Sequence, residues 1–146
     1  MTPRYRAWIK TEKRMLFSND ILAIDYENEE IVTQQVYFEN GLPDDRDIYY
    51  YKTDEIELMQ STGLKDKNGK EIFEGDVVRM RNPRDRRQIG MFQVVRVANS
   101  PMLGLLCKKL TTEIFNLYEH MRNYYEVKGN IYENPELLEA IKCTKK

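Results

Sequence analysis

Only two of the 146 residues are cysteine, Cys107 and Cys143, and no Cys-x-x-Cys pair occurs. A disulfide scaffold or a zinc ribbon is excluded by that count. Both are expected to be reduced thiols, with Cys107, after Leu105 and Leu106, a small core residue. Histidine is scarcer still. The lone His120 sits among Glu119, Met121 and Arg122, so a serine or cysteine nucleophile has little choice of base. Long apolar runs are missing too. The longest, Met102 to Cys107, is broken by Gly104 and falls far short of the roughly 20 residues that span a bilayer. No apolar stretch follows Met1-Thr2-Pro3-Arg4-Tyr5-Arg6 that could serve as a signal peptide, so a cytoplasmic location and no membrane role are expected. Nor does either sign of charge dominate. Lys and Arg number 23 against 24 Asp and Glu, a net charge of -1, so any attraction to a polyanion must be local.

What is present favours strands. Ten tyrosines, among them Tyr49-Tyr50-Tyr51, suit a half-buried pleated surface. Tyr5 to Lys10 and Met15 to Phe17, separated by the polar Thr11 to Arg14, predict a hairpin. Ile21 to Tyr26, Ile31 to Phe38 and Ile48 to Lys52 predict further short strands, with a turn-rich connection over Asn40 to Asp45. The glycines Gly63, Gly69 and Gly75 recur every six residues without forming a phosphate-cradling motif. They are expected to be structural. Asn68 and Gly69 should supply the positive φ of a tight hairpin, and Gly75 should bend the chain between Glu74 and Asp76. Strands are also expected at Asp76 to Arg81, about Ile89 to Val97, and Leu103 to Cys107. Ile114, Leu117, Tyr118 and Met121 have helical spacing, which predicts an amphipathic helix over Thr111 to Tyr124. Asn134, Pro135 and the stripe Leu137, Leu138, Ile141 predict a short C-terminal helix.

Three segments carry a resemblance. Met59 to Val78, with its Thr62-Gly63-Leu64-Lys65-Asp66-Lys67-Asn68-Gly69-Lys70-Glu71-Ile72-Phe73-Glu74-Gly75-Asp76 core, the opening Tyr5-Arg6-Ala7-Trp8 with Met15, and the closing Glu126 to Leu138 together resemble the phage and prophage YopX family. Ile9 and Ser61 depart from the family pattern, and residues 18 to 54 and 98 to 124 carry no part of the match. The resemblance implies a small SH3-type barrel after Met59, carriage by phages and prophages, self-association and no established activity. The expected fold is therefore mainly β with one or two short helices. A single domain, 1–146, would comprise a meander of short strands over 1–57 and an SH3-type small barrel plus C-terminal helix over 58–146.

No catalytic residue, cofactor or metal site is expected. Asp44, Asp45 and Asp47 form the densest carboxylate set, but they flank Pro43 without calcium-loop spacing and read as a solvated turn. The pattern that does point to a ligand is Arg79, Arg81, Arg84, Arg86 and Arg87, five arginines within nine residues opposed only by Asp85. They lie on a strand end and loop, where small β folds place ligand contacts. Two functions fit these features. One is a nonenzymatic, self-associating accessory module of a phage or prophage that binds a host or phage protein. The alternative is nucleic-acid or phosphate binding through Arg79 to Arg87, against which stands the plainer role of arginines in keeping a strand edge soluble. A hydrolase has the least support.

Overall fold

The computed structural model describes residues 4–96, 103–106 and 114–142. Cys107, Cys143 and the first residues of the expected helix over Thr111 to Tyr124 lie outside them. The chain is mainly β, about 60% strand, with helix confined to short pieces. It divides into two compact units, Met1–Met59 and Gln60–Lys146.

In the first unit, β1 (Tyr5–Ile9) pairs antiparallel with β2 (Arg14–Leu16), Trp8 opposite Met15. A three-stranded sheet of order β3-β4-β5 follows, from β3 (Ile21–Asp25), β4 (Glu30–Glu39) and β5 (Leu42–Lys52). Alternation along β1 and β4 sends Ala7, Ile9 and Ile31 into a small core with Leu16, Tyr51 and Ile56. Within the tyrosine run, Tyr49 and Tyr51 share one face of the pleat and Tyr50 lies on the other, and burial is confined to the end nearest the core. Tyr51 is buried and its hydroxyl donates to Glu12 Oε2 at 2.8 Å, while Tyr49 and Tyr50 are exposed. β5 begins six residues earlier than the expected strand at Ile48. Asn40 (φ 56) and Gly41 (φ 80) make a two-residue turn, so Pro43, Asp44 and Asp45 belong to a strand rather than to the connection. Pro43 is tolerated there because β5 is an edge and a bulge separates Tyr37 from Phe38.

β6 (Ile56–Lys65) runs through the boundary, and its second half pairs with β7 (Glu71–Phe73). The second unit is dominated by a five-stranded antiparallel sheet of order β11-β10-β9-β8-β12, curled into a half-barrel. Its strands are β8 (Asp76–Arg81), β9 (Ile89–Arg96), β10 (Leu103–Leu106), β11 (Ile114–Asn116) and β12 (Tyr125–Asn130). Among the described residues no pairing joins β11 to β12, so the sheet is open. Val77, Val78, Met80, Phe92, Val94, Leu105 and Tyr125 are fully buried, and Phe115 meets Phe92 edge to face at 6.0 Å.

The expected helix over Thr111 to Tyr124 is corrected. Ile114 to Asn116 form β11, and Glu119–Tyr124 is a 3-10 turn. Tyr118 between them is extended, its N–H donating to the Tyr125 hydroxyl at 2.9 Å instead of to a carbonyl one helical turn back. Leu117 and Met121 still pack against the core, so the spacing marked a buried side correctly while a strand and a tight turn, not an α-helix, produce it. The terminal helix α1 (Leu137–Lys142) is present, with Leu137 and Leu138 against the core. The side chain of Ile141 lies outside the described residues.

The turn residues divide. Gly69 has φ 83, whereas Asn68 is not among the residues with positive φ, and the connection is closed instead by Asp66. Gly75 has φ 89, donates its N–H to Val94 O at 2.9 Å and accepts from Ile131 N at 3.0 Å. A side chain there meets left-handed strain in a residue pinned on both sides. Gly75→Ala is expected to cost about 1 kcal/mol or more, read as a lowered melting temperature, and an unchanged melting temperature would refute it.

Candidate functional site

The arginines fall on the hairpin between β8 and β9. Short polar side chains build this loop. Asn82, only 9% exposed, accepts from Arg84 N through Oδ1 at 3.0 Å and donates through Nδ2 to Gln88 Oε1 at 3.2 Å. Asp85 Oδ1 accepts from Arg87 N at 3.0 Å, and Asn82 N and Gln88 N close the loop on Gln88 O and Asp85 O. With most of its backbone donors satisfied internally, the loop leaves the longer side chains to face water.

The five arginines do not act as one group. Arg79, opposite Glu126 in the β8–β12 register, donates from Nη2 to Glu126 Oε1 at 2.8 Å, which holds the Glu126 carboxyl below its usual range. Arg87 is bound to Asp85 through Nη2 at 2.8 Å and Nε at 3.1 Å, and its guanidinium lies 5.5 Å from the Phe115 ring centre. Those bonds lower the Asp85 pKa. Among the described residues, the guanidinium groups of Arg81, Arg84 and Arg86 have no hydrogen bond or ion pair, and all three side chains are exposed. The sequence cluster of five thus becomes three free cations and two committed ones.

A further group joins them. Because Tyr125 pairs with Met80, the 3-10 turn Glu119–Tyr124 lies at the same end of the sheet as the arginine hairpin. Arg122 there is exposed, and the Tyr118 and His120 rings lie 5.3 Å apart, tilted by 35°, with Tyr118 46% exposed. No sequence spacing links residue 84 to residue 122.

A second exposed surface belongs to the β4–β5 ribbon. Tyr37, Phe38, Leu42, Ile48, Tyr49 and Tyr50 are all exposed. The outer side of β5 carries no paired strand among the described residues. On one face the Tyr37 hydroxyl donates to Asp47 Oδ2 at 2.9 Å, and that bond pushes the Tyr37 pKa up to about 12. On the other, Arg46 donates to Gln34 Oε1 at 2.8 Å beside a concavity of about 330 Å³ lined by Val36, Pro43, Asp44, Asp45 and Arg46. Among the described residues no three His, Cys, Asp or Glu side chains gather as a metal site, and no helix is long and apolar enough to cross a membrane.

The fold and surfaces define a small, mainly β protein that displays charged and aromatic groups on a hairpin and a ribbon. Residues 4–139 match the model of the family described as YopX protein, and the chain belongs to the YopX family. Its fold is similar to the crystal structure of protein EF1440 from Enterococcus faecalis, at 32% sequence identity and a TM-score of 0.61, covering 94% of this chain and 99% of that one. No curated protein matches it.

Proposed function

We propose that this protein is a nonenzymatic accessory module of a phage or prophage, acting in the cytoplasm by self-association and by binding a host or phage protein. The observation that carries this reading is β5, an eleven-residue edge strand with large apolar side chains in water on both of its faces. Exposed edges of this length invite pairing with another chain. A second copy fits by charge. Antiparallel pairing of two β5 strands about Ile48 sets Asp44, the extra residue of the β5 bulge, opposite Lys52 of the second copy, with Arg46 opposite Tyr50 and Ile48 opposite itself. Lys52 is free enough to move, its present pair with Glu30 being 3.4 Å long and 63% exposed on the lysine side.

A dimer is expected in light scattering at tens of micromolar, a working range for moderate affinity. Asp44→Lys would put like charges at both symmetry-related sites and weaken it about tenfold, and Asp44→Lys with Lys52→Asp should restore it. A monomer at that concentration, or a dimer indifferent to the charge swap, would overturn the β5 assignment.

A further inference from the structure

We propose that the hairpin end of the five-stranded sheet is a binding site for single-stranded nucleic acid, in which arginines hold the sugar-phosphate backbone and Tyr118 with His120 stack on bases. Nothing in the self-association reading requires this site, which lies wholly within the second unit and uses none of the β5 residues.

Three arginines of the hairpin have nothing else to hold. A surface guanidinium usually finds a carboxylate nearby, and in this unit Arg79 and Arg96 do so, at 2.8 Å from Glu126 and 3.0 Å from Glu74. Arg81, Arg84 and Arg86 do not, and their loop is braced by Asn82 and Asp85, so they are presented on an ordered support. Arg122 extends the positive surface across the sheet end from the neighbouring 3-10 turn. Among the described residues of the hairpin and the 3-10 turn, the carboxylates standing against these four cations are Asp85, already bound by Arg87, and Glu119. A local positive field therefore survives in a chain of net charge -1.

The aromatic pair decides which polyanion fits. Duplex DNA offers phosphates but hides its base faces, and an arginine loop alone would serve it as well. An exposed tyrosine with an exposed histidine ring next to it, at the same end of the sheet as the cations, is of use to a strand whose bases are free to lie on them. The tyrosine backbone is held in place, its N–H bonded to the buried Tyr125 hydroxyl, so the ring is presented by the fold rather than by a loose segment. Ile89, 45% exposed and opposite Arg81 in the β8–β9 register, supplies apolar surface between the charges.

The test uses the full chain and a fluorescein-labelled 20-nucleotide oligothymidine, with fluorescence anisotropy read from about 20 to 200 mM salt. Engagement of about four phosphates predicts a log-log salt slope near -3 for a single strand. Arg84→Ala, Arg86→Ala and Arg122→Ala together should reduce that slope by about 2 with the melting temperature unchanged, since these side chains are exposed. Tyr118→Ala should weaken binding by roughly tenfold while leaving the slope alone, because stacking releases no counterions. Absence of binding at 20 mM salt, or a slope the triple variant does not change, overturns the site. A blunt duplex of the same length bound as tightly as the single strand, or a Tyr118→Ala protein that binds undiminished, overturns its assignment to single strands.

Discussion

Gly129→Ala is expected to destabilise the second unit by about 2–4 kcal/mol, lowering its melting temperature by roughly 10 °C or more. Two penalties coincide at this residue. Gly129 has φ 155, where a β-carbon is strained whatever the space around it, and it pairs with Val77 directly after the bulge at Lys128 in β12. There is no space either. A β-carbon built there would overlap Asn134 Oδ1 and lie 2.9 Å from Leu137 Cδ1. Neither neighbour yields cheaply. Asn134 is engaged twice with Asn130, accepting from its N–H at 3.2 Å through Oδ1 and donating to its carbonyl at 2.9 Å, and Leu137 packs against the main core. Gly41 provides the control, because it too has positive φ, at 80, yet no heavy atom lies within 4 Å of its added β-carbon. Gly41→Ala should cost only the strain, about 1 kcal/mol. Equal melting temperatures for the two variants would show that the Gly129 contact does not matter.

The second large effect is expected at Asp66. This side chain is 1% exposed, and its carboxylate accepts three backbone N–H bonds, from Asn68 and Lys70 at Oδ1 and from Val127 at Oδ2, each at 2.9 Å. Two of them shape the β6–β7 turn and the third ties that turn to β12, assisted by Lys67 N donating to Tyr125 O at 3.0 Å. Asp66→Ala removes all three acceptors. Bonds to a charged acceptor contribute about 1.5–3 kcal/mol each, but the Asn68 and Lys70 donors sit in an exposed turn where water can replace the lost oxygen. A net loss of about 3 kcal/mol is therefore expected, measured by chemical denaturation. Asp66→Asn should fall between that variant and the parent, since one carboxamide oxygen still accepts while its NH2 faces another donor. The Val127 amide reports on the mechanism, and its hydrogen exchange should accelerate in both variants. Unchanged protection of Val127 would sever the proposed link between the turn and β12.

Neither Asp66 nor Gly129 stands out in the linear sequence as a point of such consequence. Asp66 sits two residues before Asn68, a spacing at which an aspartate commonly bonds backbone N–H groups of a turn, so half of its role is readable from local chemistry. The half that reaches Val127, 61 residues away, is not. The strand at Asp76 to Arg81 was legible to the residue, because the alternation of Val78 and Met80 with Val77, Arg79 and Arg81 and the flanking Gly75 turn agree with the final register. The segment at Thr111 to Tyr124 was not, because an apolar spacing of three and four residues also arises when a short strand is followed by a 3-10 turn.

The amino-acid sequence by itself determined that this is a mainly β chain of the YopX family, where most turns fall, and that five arginines crowd one hairpin. These are properties of neighbouring residues, set by propensity, alternation and backbone φ, and they need no distant partner. Tertiary structure alone decided which of those charges remain available. Arg79 is claimed by Glu126, 47 residues along the chain, through the β8–β12 register, while Arg122 is brought from a separate segment to the same sheet end. Pairing in an antiparallel sheet is non-local, so the availability of a charge depends on which strand becomes its neighbour.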